Sequence, residues 1–267
     1  MTAGKIVAVM LTACVALILS HPATLAQATD RHAVHRFANV VDLTHALDEY
    51  TPYIPVPGLT FPFKKTPIAT VVKNGVAANR WEIHEHLGTQ IDAPIHFFEG
   101  ALSLDQLPVA SLVVPLAVID ISARVASHPD TSVTVADIEA WERQHGRIPE
   151  RAAVMMRSGW DSRIDDARAF VNADAGGVMH FPGFSPEAAS FLARSRQAAG
   201  IGVDTLSLDR GDDATYATHK AWLGTGNWGA ELVANLQHVP PVGATVFVGA
   251  TKVKGATGGP VRLIAVW

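Results

Sequence analysis

The apolar positions fall in short runs cut by Gly, Pro and Asn, the pattern of a chain with many strands and few helices. Val40 to Leu47 reads as an edge strand, and Thr51 to Pro62 as a Pro-rich surface loop closed to regular helix. Ile68 to Lys73 and Val76 to Ile83 flank Asn74-Gly75. That pair predicts a hairpin closed by a type I′ turn, which needs positive φ at both central residues. Val113 to Ile121 is a continuous apolar run suited to a buried strand, and Val135 to His145 follows as a helix capped by Thr134 with Asp137 three residues later. Ala152 to Arg157 is another short buried strand. Ser185-Pro186-Glu187 then opens a helix that Gly200 closes. Gly202 to Leu206, Ala244 to Gly249 and Val261 to Val266 return to strand, while Leu232 to Leu236 is apolar and helix-like, ended by Pro240-Pro241. These elements sum to a mixed α/β domain with a substantial antiparallel component, and no internal repeat or low-complexity linker divides it.

The N-terminus follows a different logic. Lys5 precedes an apolar run from Ile6 to Leu19, and Ala26-Gln27-Ala28 is a small-x-small cleavage site. Together they predict a signal peptide over residues 1–28 and a single domain over 29–267, in a secreted or periplasmic protein with no membrane contact after cleavage. The run is too short for a standard span, although an N-terminal anchor is the plain alternative. Leu11-Thr12-Ala13-Cys14 also resembles a lipoprotein box, but the apolar run continues past it. Cleavage after Ala28 or Ala26 removes the single Cys, which suits an oxidising compartment and excludes a Cys-rich zinc site. At 48% hydrophobic and 17% charged the chain is not disordered, and a net charge of −4 provides no electrostatic reason to bind nucleic acid. The twelve His are the compositional oddity, since imidazole both ligates metals and titrates near neutral pH.

Potential ligands are densest from His84 to His96. In a straight strand His86, Gln90, Asp92 and His96 would share a face by parity, yet at about 3.3 Å per residue they would be strung out too far to meet at one ion. The segment must curl, and Gly88 and Pro94 supply a permissive turn and a block to ordinary helix. For a single His here, a surface or capping role is the plainer reading. His84-Glu85-His86 lacks the spacing of a zinc helix, and His84 itself is assigned a structural role.

The pattern His86-x-Gly88-Thr89-x-x-Asp92-x-Pro94-x-His96 resembles the signature of the cyclase family of metal-dependent hydrolases, which includes bacterial kynurenine formamidase and isatin hydrolase. Gly159-Trp160-Asp161, Val178 to Gly183, Gly202 to Ser207 and Lys252 to Gly255 extend the resemblance over roughly Val40 to Val266. In the formamidase-like branch the residue after Gly-Thr is His. Here it is Gln90, which is similar to the isatin hydrolase branch. The resemblance implies a swivelling β/β/α fold, usually a homodimer, acting on a small-molecule substrate. An amide oxygen in place of an imidazole nitrogen hardens the site, favouring manganese over zinc and one dominant ion.

The resemblance further places His219 and Glu231, on either side of a glycine-rich loop, where dinuclear members hold their second metal. With one ion they would complete the shell or orient water and substrate. A metal on His86, Gln90 and Asp92 would acidify water and polarise a carbonyl, and His96 would act as general base and then acid. Trp81, Phe97, Trp222 and Trp228 flank these segments and are candidates to stack on an aromatic substrate, although plain core is an equal reading. Ser207 is a candidate for a proton path, against the plainer role of bonding backbone. No GxSxG elbow or Walker pattern appears, so covalent catalysis and phosphate binding have little support. The expected activity is hydrolysis of a cyclic amide such as isatin, with N-formylkynurenine the nearest alternative. A non-catalytic extracytoplasmic protein capturing carboxylates through its metal, and a cupin-like oxygenase, are the rivals.

Overall fold

The computed structural model describes residues 37–267; the expected signal peptide lies outside the described residues. Among the described residues there are twelve strands: β1 (Val40–Asp42), β2 (Lys64–Ala69), β3 (Ala78–Glu82), β4 (Gln90–Asp92), β5 (Val113–Asp120), β6 (Ser132–Val133), β7 (Ala153–Arg157), β8 (Gly183–Phe184), β9 (Gly200–Val203), β10 (Trp228–Glu231), β11 (Ala244–Ala250) and β12 (Gly258–Val266). Six α-helices accompany them: α1 (Val71–Asn74), α2 (Ser122–Val125), α3 (Val135–His145), α4 (Ala167–Val171), α5 (Pro186–Arg196) and α6 (Ala217–Leu223). Among the described residues no helix is long and apolar enough to cross a membrane.

The main sheet runs β1-β12-β11-β5-β7-β9-β10-β4, and a further β12–β4 pairing closes it into a barrel-like ring. Its centre is parallel, from β5 through β7 and β9 to β10, and the remaining pairings are antiparallel. The expected mixed α/β architecture with an antiparallel component is therefore present. Alternation along the strands builds two cores. Val114, Leu116, Val118, Met155, Ala230, Ile91 and Leu263 fill the inside of the ring. Ala117, Ile119, Val154, Met156, Ile201 and Val203 point outward and bury the apolar faces of α3 and α5. Helix α3 spans the expected residues, with the Thr134–Asp137 capping box formed.

Three expectations need correction. Asn74-Gly75 does not make a type I′ turn: Thr70 caps one helical turn, α1, and Gly75 ends it at φ 73°, so the β2–β3 hairpin is closed by a helix with a left-handed C-cap. Helix α5 ends at Arg196 on Gln197, also left-handed, and Gly200 opens β9 instead of closing the helix. Leu232 to Leu236 is not helical. Leu232 turns to φ 48°, and the N–H groups of Leu232, Val233 and Ala234 bond to the carbonyls of Thr205, Val203 and Leu43. Long-range backbone partners displace the local helical ones.

Candidate metal centre

The three residues of β4 set the site. Ile91 points into the barrel, so Gln90 and Asp92 share the opposite face, and both are fully buried. Register places Glu231 of β10 opposite Gln90, and the Gln90 Nε2 donates to Glu231 Oε2 at 2.6 Å. Asp92 faces Gly229 on one neighbour and Gly258 on the other. Gly258 is required there: a Cβ would lie 2.5 Å from His86 Cε1, so its absence makes the recess that the imidazole fills. Gly88, at φ 71°, turns the chain between His86 and β4. Pro94 opens the 3-10 turn Pro94–His96 that brings His96 back. The curl expected between His86 and His96 is thus made at the two residues that permit it.

Helix α6 supplies His219 from the other side. Its Nε2 lies 3.2 Å from both Asp92 Oδ2 and Glu231 Oε1, while Nδ1 meets Asp209 Oδ2 at 2.5 Å. His86 Nδ1 sits 2.7 Å from Asp92 Oδ1, and its Nε2 is 2.9 Å from Thr257 Oγ1. His96 stacks on His86 with ring centroids 3.9 Å apart. His86, Gln90, Asp92, His96, His219 and Glu231 therefore converge, although they come from three separate stretches of chain.

The residues fit a divalent cation. His86, Asp92 and His96 form one group whose ligand atoms lie within 4.8 Å of one another; Asp92, His219 and Glu231 form another, and Asp92 is common to both. Gln90 Oε1 is buried without a hydrogen-bond partner beside them. Such an oxygen next to two carboxylates and two imidazoles is a hard donor awaiting positive charge.

Electrostatics point the same way. Burial raises the Glu231 carboxyl, and the Asp92 charge beside it raises it further. Burial alone would raise Asp92 too, but the bonds from His219 and His86 hold it well below the usual carboxylate range. Burial opposes charge on His219 and His86, yet the hydrogen bonds to Asp209, Asp92 and Glu231 push His219 well up, and Asp92 pulls His86 up. Positive charge is drawn to this point, and a cation or protons on the two imidazoles would supply it. His96 behaves differently. Burial depresses it to about 4 against the pull of Asp92, so it stays neutral near pH 7.

The centre opens into a cavity of about 510 Å³. Tyr53, Ile54, Phe97, Leu206 and Tyr216 form much of its wall, and Ser207 reaches it. Of the aromatic candidates only Phe97 lines it. Trp222 is a correction: it is fully buried and donates its Nε1–H to the Trp228 carbonyl at 2.7 Å, a core role. Trp228 is likewise buried. Trp81 is a correction as well: it is 66% exposed on β3, edge-on to Phe63, and does not line the cavity. The Ser207 hydroxyl accepts from the Asp209 N–H at 3.2 Å.

Asp209, Thr257 and Tyr53 were not marked by the sequence. Asp209 lies ten residues before His219 across an irregular loop, and Thr257 sits in a glycine-rich run that reads as turn. Only the fold shows what they face.

The profile of the cyclase family, described as "Putative cyclase", matches residues 41–210. An isatin hydrolase of Roseibium aggregatum is 34% identical over 242 residues, which cover 85% of this chain and 90% of that one. The solved structure of isatin hydrolase A from Ralstonia solanacearum superposes with a TM-score of 0.81 at 34% identity, over 85% of this chain and 91% of its own. A potential metal-dependent hydrolase with cyclase activity matches at TM-score 0.64 and 25% identity, over 85% and 97% of the two chains.

Proposed function

The chain belongs to the cyclase family, whose members similar to it are hydrolases of carbon–nitrogen bonds, and from that premise we propose that it opens a cyclic amide of the isatin type with one dominant manganese ion. The observation that carries the metal is the orphaned Gln90 Oε1 among His86, Asp92, His219 and Glu231. An amide oxygen in that shell favours a hard ion, and zinc is the alternative. A divalent cation held there would polarise the scissile carbonyl and make a neighbouring water acidic.

The chain's own residues supply the rest. Neutral His96, facing the cavity beside the ligand set, accepts a proton from water and returns it to the leaving nitrogen, yielding a carboxylate and an amine. Phe97 and Tyr216, with centroids 5.5 Å apart, and Tyr53 offer rings against which a planar aromatic substrate stacks. Leu206 and Ile54 keep that wall apolar and thin the water around the reacting bond.

The test is to strip the purified protein of metal and follow isatin ring opening before and after adding manganese. Ring opening that requires the ion supports the proposal. Stoichiometric metal binding without turnover of isatin, but with turnover of an N-formyl arylamine, would move the substrate to the arylformamide class. Metal binding with no turnover of either would favour capture of a carboxylate instead.

A further inference from the structure

His86 and His219 present opposite ring nitrogens to Asp92. His86 offers Nδ1 to Oδ1, and His219 offers Nε2 to Oδ2. A neutral imidazole carries one hydrogen, so each ring can ligate through the nitrogen named only if its other nitrogen holds that hydrogen. Groups outside the ligand set decide this for each ring.

For His219 the partner is Asp209. The Asp209 carboxylate is 1% exposed and accepts the Thr218 N–H at 2.5 Å on Oδ1, while Oδ2 lies 2.5 Å from His219 Nδ1. An ionised carboxylate has no hydrogen to donate. Nδ1 must therefore be the N–H, and the Nε2 lone pair is aimed between Asp92 and Glu231. For His86 the device has two members. The Glu85 carboxylate accepts both the Thr257 N–H at 3.0 Å and the Thr257 hydroxyl at 2.5 Å on Oε2. With its hydrogen committed to Glu85, the Thr257 oxygen can only accept at 2.9 Å from His86, which puts the hydrogen on Nε2 and the lone pair on Nδ1.

We infer that Asp209 and the Glu85–Thr257 pair are positioning residues that lock His219 and His86 in opposite tautomers, so that both lone pairs converge on the ion shared with Asp92. The inference rests on the metal-dependent reading of the site. Its geometric root is that one ring arrives from α6 and the other from the turn before β4, on opposite sides of Asp92. No single tautomer would serve both.

Histidine tautomers can be read directly. The experiment records 15N spectra of histidine-labelled protein, with zinc as a diamagnetic ion at a concentration that just saturates the parent and at a pH high enough to leave each imidazole one hydrogen, and measures manganese affinity by competition with a chromogenic chelator. The ion-bound parent should hold the His219 hydrogen on Nδ1 and that of His86 on Nε2. Asp209→Asn has one carbonyl oxygen for three N–H groups, those of the Thr218 and His219 backbone and of the His219 ring. With that oxygen on Thr218, its amide hydrogens face His219 and should drive the ring hydrogen to Nε2. Thr257→Val removes the acceptor and should leave His86 without tautomer preference. Each variant should weaken manganese binding about 10- to 100-fold, and Thr257→Ser should restore both readouts. Parent rings in the reverse tautomers, or variants that lose affinity with unchanged tautomers, would overturn the inference. A parent that binds neither zinc nor manganese would overturn the metal reading and the inference that rests on it, whereas reversed tautomers on a bound ion would overturn the lock alone.

Discussion

His96 is the residue whose environment most narrows its role. Its ring stacks on His86 and stands within reach of Asp92, so distance alone allows it to be a ligand. Burial, however, keeps it neutral until the pH falls to about 4, which suits a group that must accept a proton. His96→Ala should therefore retain the metal, by equilibrium dialysis, and lose about 10²- to 10⁴-fold in turnover. Loss of the metal from that variant would make His96 a ligand instead. Most of the polar residues of this site were legible in the sequence because they cluster between His84 and His96 or belong to the family signature. The aromatic candidates were not, because a Trp adjacent in sequence to a ligand carries no mark of which side of a sheet or helix it occupies. Trp222 follows His219 by three residues on α6, yet its ring is sealed in the core while the His ring reaches the cavity edge.

At the scale of elements, the exit of β9 is held by a buried carboxyl. Asp204 accepts Ser158 N–H, Gly159 N–H and Trp160 N–H and the Ser158 hydroxyl, tying β9 to the turn that follows β7. Burial nevertheless outweighs these donors and raises the carboxyl to about 7. A carboxyl raised on folding favours the folded state when protonated. Its contribution is present below the unfolded value near 4 and is lost as the pH rises through about 7. Denaturant unfolding at pH 5 and pH 8 should show this loss in the parent, and Asp204→Asn should flatten it. The same variant should cost about 1–3 kcal/mol at acidic pH, because an amide cannot accept from all the N–H groups that converge there. An unchanged slope in the variant would remove Asp204 as its source. The element boundaries were most legible where short-range chemistry decides them, as in α3 with its capping box. They were least legible where a distant backbone competes, as at Leu232.

For the whole molecule, the β2–β3 hairpin stands apart from the main sheet, and its apolar residues are exposed. Val72 is 97% exposed, and Ile68, Val71, Val76 and Trp81 are each more than 60% exposed. A two-stranded ribbon with such a face is marginal without a partner. The resemblance to the cyclase family implies a homodimer, and we propose that in it a second copy of the chain covers this hairpin. Val72→Asp should then shift the mass in light scattering from dimer to monomer, and a monomeric parent would refute the proposal. Sequence by itself determined the class of fold, the order of most elements, the family and the cluster of ligands that lies within thirteen residues, because propensity, capping and local spacing act over one or two turns of chain. Tertiary structure alone decided that β12 closes the ring on β4, that Glu231 stands across from Gln90, and that Asp209 and Thr257 stand behind the two imidazoles. Those facts depend on strand register and on loops whose ends are far apart in sequence and meet only in the folded chain, and neither leaves a periodic trace in the sequence.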